Sequence, residues 1–276
     1  MDNAAMIEEV FARLGFQTSV SVLIMTGALV AARVIPTIAF SPWMGGESVP
    51  TEVKVGLGLM LTIVLFPAVS ERISEVPTGP LPFLLTLLKE VFIGVSLAFI
   101  ISMVFDAARV AGHMVDVMTG AQQAQMQVPM LGQQGSIWSG FQLMLTVTLF
   151  LTMNGHHWVI NILGDSLVLL PVDQFPRFSH GIWGFFELIM RVFGDLMRLG
   201  IALAAPGLLA AFLVDLSMGM VNKVAPQVQV FFMAMSLKPI VGALVMFVTL
   251  YEILSRIGGE FTFMLKLMQD AVRLLV

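Results

Sequence analysis

The sequence predicts an all-α, integral membrane-assembly protein of long, kinked helices and helical hairpins. Three observations lead there. Of the 276 residues, 58% are hydrophobic and 12% charged, against roughly 25% charged in soluble domains, and the mean hydropathy is +0.93. The apolar residues come in long runs with little alternation, a helical rather than a strand pattern. Five or six of those runs approach the roughly 20 residues that span a hydrocarbon core.

The same composition excludes several function classes. There is no cysteine, so disulfides and thiolate metal sites are out of reach. The net charge is −4, with no basic block to serve as a footprint for nucleic acid. The first residues, MDNAAMIEEVFARLGF, lack the basic region and cleavage site of a signal peptide and read as a short amphipathic helix.

In chain order, Ser19–Phe40 is the first apolar stretch and contains Arg33 and Pro36. Pro36, Pro42 and Pro50 then bracket a loop whose Trp43 suits a membrane interface. Val53–Val69 follows, closed by Glu71-Arg72 and by a stretch in which Pro77, Pro80 and Pro82 oppose helix. Leu81–Phe105 is the third stretch, with Lys89 and Glu90 side by side inside it. Ile137–Met153 and His157–Leu170 come next, separated by Asn154-Gly155, and Pro171–Ser179 is a linker.

The last hundred or so residues differ in kind. Ile182–Asn222 and Gln227–Leu275 read as two long helices joined by the tight turn NKVAPQ, with room for a kink near Ala205-Pro206-Gly207. At about 1.5 Å per residue the first would reach roughly 60 Å, about twice the hydrocarbon thickness. A long hairpin packed on other helices fits better than two bilayer spans. Lys and Arg are scattered through apolar segments (Arg33, Lys89, Arg109, Arg198, Lys238), so the positive-inside rule defines no topology. Charges so placed mark ion pathways or contacts within an assembly, and assembly is the better fit.

Val117–Gly135, VMTGAQQAQMQVPMLGQQG, stands apart from the rest. Gly120, Pro129, Gly132 and Gly135 interrupt it too often for a continuous helix. Its glutamines, among them Gln122 and Gln123, are too polar to lie unpaired in lipid. Met118, Met126 and Met130 supply flexible side chains that close around a gap of variable shape. A gating or plugging loop is the functional reading; an ordinary interhelical loop is the plain one.

Asp106, Arg109, His113 and Asp116 fall on one helical face leading into that segment. Such a face suits a proton relay, but the same spacing serves ion pairing, which is the preferred reading. His156 and His157 are adjacent at a helix break, with no carboxylate at ligand spacing, so no metal site is expected. No nucleophile–base pair and no phosphate-binding loop stands out, so neither an enzyme nor a cofactor is expected. Gly94, Gly112, Gly200, Gly207, Gly219 and Gly242 read as points of close helix approach.

Taken in order, these residues resemble the FliR/SctT family of type III secretion export-gate subunits. The resemblance rests on Ala32-Arg33 with Pro36, Pro42 and Pro50, then Ala111-Gly112, Asp116, Gly120 and Pro129. It continues through Phe150, Asn154-Gly155-His156, Ser166 and Leu170-Pro171. It is most specific at Ala205-Pro206, Asp215, Gly219, Asn222-Lys223, Pro226-Gln227, Val230-Phe231 and Lys238.

The resemblance implies a module over residues 1–178 similar to the partner FliP/SctR, followed by a hairpin over 179–276 similar to FliQ/SctS. It implies assembly with those two partners and with FlhB/SctU at the bacterial inner membrane, in contact with its lipid, within a flagellar basal body or injectisome base. Unfolded export substrates would pass through. The central segment would be the channel plug, with Met118, Gln122, Gln123, Met126, Val128, Pro129, Met130 and Leu131 forming it. Arg33, Asp106, Arg109, Asp116, Asp215, Lys223, Pro226, Gln227 and Lys238 would be the charged or assembly positions. NGHH looks flagellar, whereas DVMTGAQQAQMQVP looks closer to injectisome chains, and the flagellar branch is preferred. The rival is a polytopic proton-coupled transporter using Asp106, Arg109, His113 and Asp116 as its relay. A weaker third reading is a membrane scaffold whose central loop gates nothing.

Overall fold

A computed structural model describes residues 20–44, 49–70, 79–120, 136–176, 181–227 and 229–275. Among these residues there is no strand. The helices are α1 (Val20–Ala39), α2 (Thr51–Ser70), α3 (Pro80–Thr119), α4 (Ile137–Thr152), α5 (Gly155–Leu169), α6 (Gly181–Val224), α7 (Val230–Val248) and α8 (Leu250–Leu275), with a short 3-10 turn at Pro42–Met44. The amphipathic helix expected from the first sixteen residues lies outside the described residues.

Several boundaries fall where the sequence puts them, and three features differ. Trp43 is 7% exposed, buried in the 3-10 turn rather than set out at an interface. The third apolar stretch does not end at Phe105. α3 runs on to Thr119, because beyond Asp106 its inner face is still apolar: Ala107, Ala108, Ala111 and Val115 are buried. The charges that break the run occupy its outer face, apart from Asp116. The pattern over Gln227–Leu275 is two helices, divided at Thr249. There the hydroxyl turns back to the Val245 carbonyl at 2.9 Å, a local bond that competes with regular helix. Helical hydrogen bonding continues on either side, through Ile253 N–H to Thr249 O at 3.0 Å.

Helix ends follow from local chemistry. Pro80 opens α3, where its missing N–H costs nothing. Gly120, at φ 74°, ends it in the left-handed region glycine tolerates best. Between α4 and α5 the chain bends by 71°. Asn154 takes φ 56° at the corner, and the absent side chain of Gly155 admits the Phe150 ring. Pro206 sits within α6 without ending it.

The chain forms two compact units. Unit 1 comprises Met1–Ser102, His157–Ile189 and Leu265–Val276. In it α1 packs on α2, and the core includes Leu29, Val34, Ile93, Ile101, Leu163 and Met268. Gly94 meets the Arg33 carbonyl so closely that no side chain fits between them. Unit 2 comprises Met103–His156 and Met190–Met264. Its centre is a cluster of Phe105, Phe150 and Phe261, with ring centroids 5.1–5.5 Å apart.

By length and composition, four described helices are apolar enough to cross a membrane: α1, α3, α6 and α7. A fifth span is formed if α4 and α5 count as one broken span. Burial separates them. In α3 the most apolar window is 72% buried inside the protein, so this helix is core. In α7 the figure is 17%, with Phe231, Phe232, Ile240, Leu244 and Phe247 facing outward. An apolar surface of that kind requires lipid or another chain against it.

Candidate functional site

The candidate site lies in unit 2, where the chain enters and leaves the central segment. Its frame is the last four turns of α3. Four glycine contacts draw other helices onto it. A Cβ on Gly112 would collide with the backbone of Trp138 and Ser139 in α4. On Gly200 of α6 it would lie 3.3 Å from the Ala107 carbonyl, and on Gly207 it would lie 2.9 Å from Val115. On Gly242 of α7 it would lie 2.7 Å from Thr119. Gly94 makes the corresponding approach in unit 1. Gly219 does not: it faces open space. Small residues here let backbones approach, the usual device for packing apolar helices.

The charged face of α3 does not form one group. Arg109 stands 4.0 Å from Asp106, with both side chains about a third exposed (38% and 34%). A pair so placed is worth little. His113 is exposed. Asp116 is 0% exposed, and its chemistry is directed at α4. Its Oδ2 accepts the Ser136 hydroxyl and, at 2.9 Å, the backbone N–H of Trp138. The N–H groups of a first helical turn lack intrahelical partners, and the N-cap side chain commonly takes one. Here Ser136 is the N-cap but makes no such bond. Asp116 supplies it from another helix, at the positive end of the α4 dipole.

The remaining sequence-selected residues divide between the two units. Arg33 belongs to a fully buried cluster in unit 1. Its Nε lies 2.5 Å from Glu90 Oε2, while its terminal nitrogens donate to the carbonyls of Ser166 at 2.7 Å and Leu170 at 2.9 Å. Lys89 Nζ lies 2.6 Å from Glu90 Oε1 and donates to Val172 O and Gln174 O. Arg33 thus gathers the carbonyls at the end of α5, where the helix dipole is negative, Lys89 those of the turn beyond it, and the two share one carboxylate.

In unit 2, Lys238 on α7 pairs with Asp215 on α6 at 2.7 Å, Asp215 being 54% exposed. Lys223 lies in the last turn of α6, and it, Pro226 and Gln227 are exposed. Met118 is 56% exposed at the end of α3. Gln122, Gln123, Met126, Val128, Pro129, Met130 and Leu131 lie outside the described residues.

Sequence reasoning did not select Ser136 or Trp138, and it named Lys89, Glu90 and Ser166 without joining them to Arg33. Ser136 directly before an apolar run is a legible cap signal, but nothing local indicates that its acceptor sits twenty residues upstream. Among the described residues, no three His, Asp or Glu side chains come together as a metal site.

Residues 24–264 match the family described as bacterial export proteins, family 1. Curated relatives include the flagellar biosynthetic protein FliR of Escherichia coli, 30% identical over 76% of this chain and 78% of the relative. The FliR of Bacillus subtilis is 26% identical over 89% and 94%. The Yop proteins translocation protein T of Yersinia pestis is 26% identical over 80% and 82%.

Proposed function

The chain belongs to the bacterial export proteins, family 1, and from that premise we propose that it is a core subunit of a type III secretion export gate. It would help to form and plug the channel through which unfolded proteins leave across the bacterial inner membrane. The family match over nearly the whole chain carries this reading. The flagellar branch is favoured on the NGHH segment at Asn154–His157.

Its partners in this proposal are chains of the FliP/SctR, FliQ/SctS and FlhB/SctU types. The module over 1–178 stands beside the first as a sequence relative, and the hairpin over 179–276 beside the second. The outward apolar faces of α6 and α7 support a need for such partners: Phe212, Leu213 and Leu216 on α6, with Phe231, Phe232 and Leu244 on α7, are each more than half exposed. The work of the subunit is mechanical and needs no catalytic group. Residues 118–135 would close the channel by weak apolar contacts that a substrate displaces, with glutamines tolerating the water that enters. A transporter relay finds no support, because Asp116 is buried against α4 while His113 points away to the surface.

Gentle purification of the tagged chain from its native cell, followed by intact-complex mass, tests the assembly. A particle holding several copies of two small helical membrane proteins is expected; a stable monomer or homo-oligomer would overturn the proposal. Deleting Met126–Leu131 tests the plug, and cells carrying the shortened chain should leak small solutes.

A further inference from the structure

Two charged layers flank an uncharged stretch of the hairpin in unit 2. Between Arg198 and Asp215, α6 carries no charge, and neither does the returning chain between Lys238 and Glu252. The two arms run antiparallel: Lys238 meets Asp215 at one end, and Arg256 shares a groove with Arg198 at the other. At about 1.5 Å per residue the α6 stretch is roughly 25 Å long, close to the roughly 30 Å hydrocarbon core of a bilayer. Ile201, Leu209 and Val248 are exposed along it, and Tyr251, the chain's one tyrosine, stands 78% exposed at its edge. Tyrosine at the edge of an apolar stretch suits the headgroup level of a membrane.

The charged layer beside Tyr251 is hollow. A groove of about 470 Å³ between α6 and α8 is lined by Asp195, Arg198, Leu199, Arg256, Glu260 and Phe263. At Arg256 it meets a second groove of about 430 Å³, walled by Ala202, Leu203 and Ile253, with Glu252 beside them. Asp195 and Arg198 are three residues apart on one helix, and Arg256 and Glu260 four apart on the other, spacings at which ion pairs close readily. Among the described residues neither pair is closed, and none of the four side chains has a hydrogen bond or ion pair. Both charges of each sign are left for a ligand.

We propose that this groove binds the headgroup of a zwitterionic phospholipid of the phosphatidylethanolamine class. The guanidinium groups of Arg198 and Arg256 offer forked donors that match a phosphate. The carboxylates of Asp195 and Glu260 accept the ammonium of the same headgroup. Two cations and two carboxylates give the groove no net charge, so an anionic headgroup gains at the arginines and loses at the carboxylates. The second groove carries the site on toward the apolar flank, where the acyl chains lie. A helix of another chain could cover the same face, but the exposed tyrosine and the bilayer-length apolar stretch favour lipid. The inference rests on membrane residence alone and stands apart from the export-gate reading.

The test takes the full chain in gentle detergent, with any chains bound to it. It is mixed with phosphatidylethanolamine, phosphatidylglycerol or the soluble headgroup phosphoethanolamine, and bound ligand is read by intact mass. The site's share is the retention lost in the double variant Arg198→Gln/Arg256→Gln, so lipid held elsewhere cancels. That share should favour phosphatidylethanolamine over phosphatidylglycerol, and phosphoethanolamine at equal concentration should not displace it. Each single arginine variant should weaken retention by about tenfold or more, the worth of one charge-assisted contact. Asp195→Asn and Glu260→Gln should weaken retention of phosphatidylethanolamine and strengthen that of phosphatidylglycerol, because the groove then carries net positive charge. Asp270→Asn, an exposed α8 position lining neither groove, should bind as the parent does.

Unchanged retention in the double arginine variant would overturn the proposal, and so would a site share that favours phosphatidylglycerol. Displacement by phosphoethanolamine would assign the groove to a soluble phosphate ester instead. Equal loss of both lipids in the carboxylate variants would mean that the carboxylates do not read the ammonium, and the zwitterionic assignment would fail. A double variant that sheds a copurifying chain rather than lipid would give the groove to that chain. Folding is checked by the unfolding midpoint; should the double variant not fold, the two single arginine variants decide on the same readings.

Discussion

Replacing Glu90 with Gln perturbs the buried cluster of unit 1 at the carboxylate its two cations share. Arg33 and Lys89 carry two positive charges and Glu90 one negative, with Arg33 and Glu90 both 0% exposed. The excess charge faces the carbonyls of Ser166 and Leu170 at the negative end of α5 and those of Val172 and Gln174 in the turn beyond it. Glu90→Gln leaves two cations side by side in the interior, with carbonyls against them and the Asp173 carboxylate acting on Lys89. Removing one member of a buried ion pair costs about 3–5 kcal/mol. Lys89→Met is the contrasting change. It loses two carbonyl bonds, at about 0.5–1.5 kcal/mol each, and the contact of Lys89 Nζ with Glu90 Oε1, but leaves Arg33 and Glu90 as a neutral pair. At roughly 2–4 °C per kcal/mol for a chain of this size, Glu90→Gln should lower the unfolding midpoint by on the order of 10 °C. Lys89→Met should lower it by a clearly smaller amount. Thermal unfolding of the full chain in one detergent, followed by tryptophan fluorescence, measures both. A Glu90→Gln midpoint within 2 °C of the parent, an interval below the roughly 6 °C lower bound of that estimate, or equal losses in the two variants, would refute the charge argument.

Three further outcomes follow from the packing. Gly112→Ala sets a methyl group against the α4 backbone, which cannot rotate away, and overpacking should cost about 1–3 kcal/mol; Gly219→Ala, in open space, should be neutral or stabilising by up to about 1 kcal/mol, both read from the same unfolding curves. Phe261→Ala removes one ring from the Phe105–Phe150–Phe261 cluster and should cost about 3–5 kcal/mol, whereas Phe263→Ala, at 39% exposure, should cost far less. Asp215→Ala should change stability by no more than about 1 kcal/mol, since its pair with Lys238 is half in solvent; a larger loss in the isolated chain would mean the pair holds the hairpin in a way its exposure does not indicate.

Much of this architecture is legible in the sequence, because helices here are local objects. Apolar periodicity, proline and glycine set the positions of α1, α2, α4, α5 and α6 to within a few residues. The long hairpin arm was readable from its length alone. Local signals were misleading where two of them disagreed. Asp106 ends an apolar run, yet α3 continues because its buried face remains alanine and valine to Val115. Thr249 divides the last helical pattern without a glycine or proline to announce it. Trp43, a residue type suited to an interface, is enclosed.

Family membership was also determined by the sequence, since it depends on the order of many weakly specific residues along nearly the whole chain. What only the tertiary structure decided is how each charge is used. Arg33, Asp106, Arg109 and Asp116 look alike in a linear reading, as charges set in apolar helices. In three dimensions Arg33 is locked to Glu90 and the end of α5, Asp106 and Arg109 share a loose surface pair, and Asp116 holds the first turn of α4. The physical reason is that desolvation and hydrogen-bond geometry depend on partners 20 to 137 residues away. Helical periodicity reports only the face on which a residue lies, not the atom it will meet.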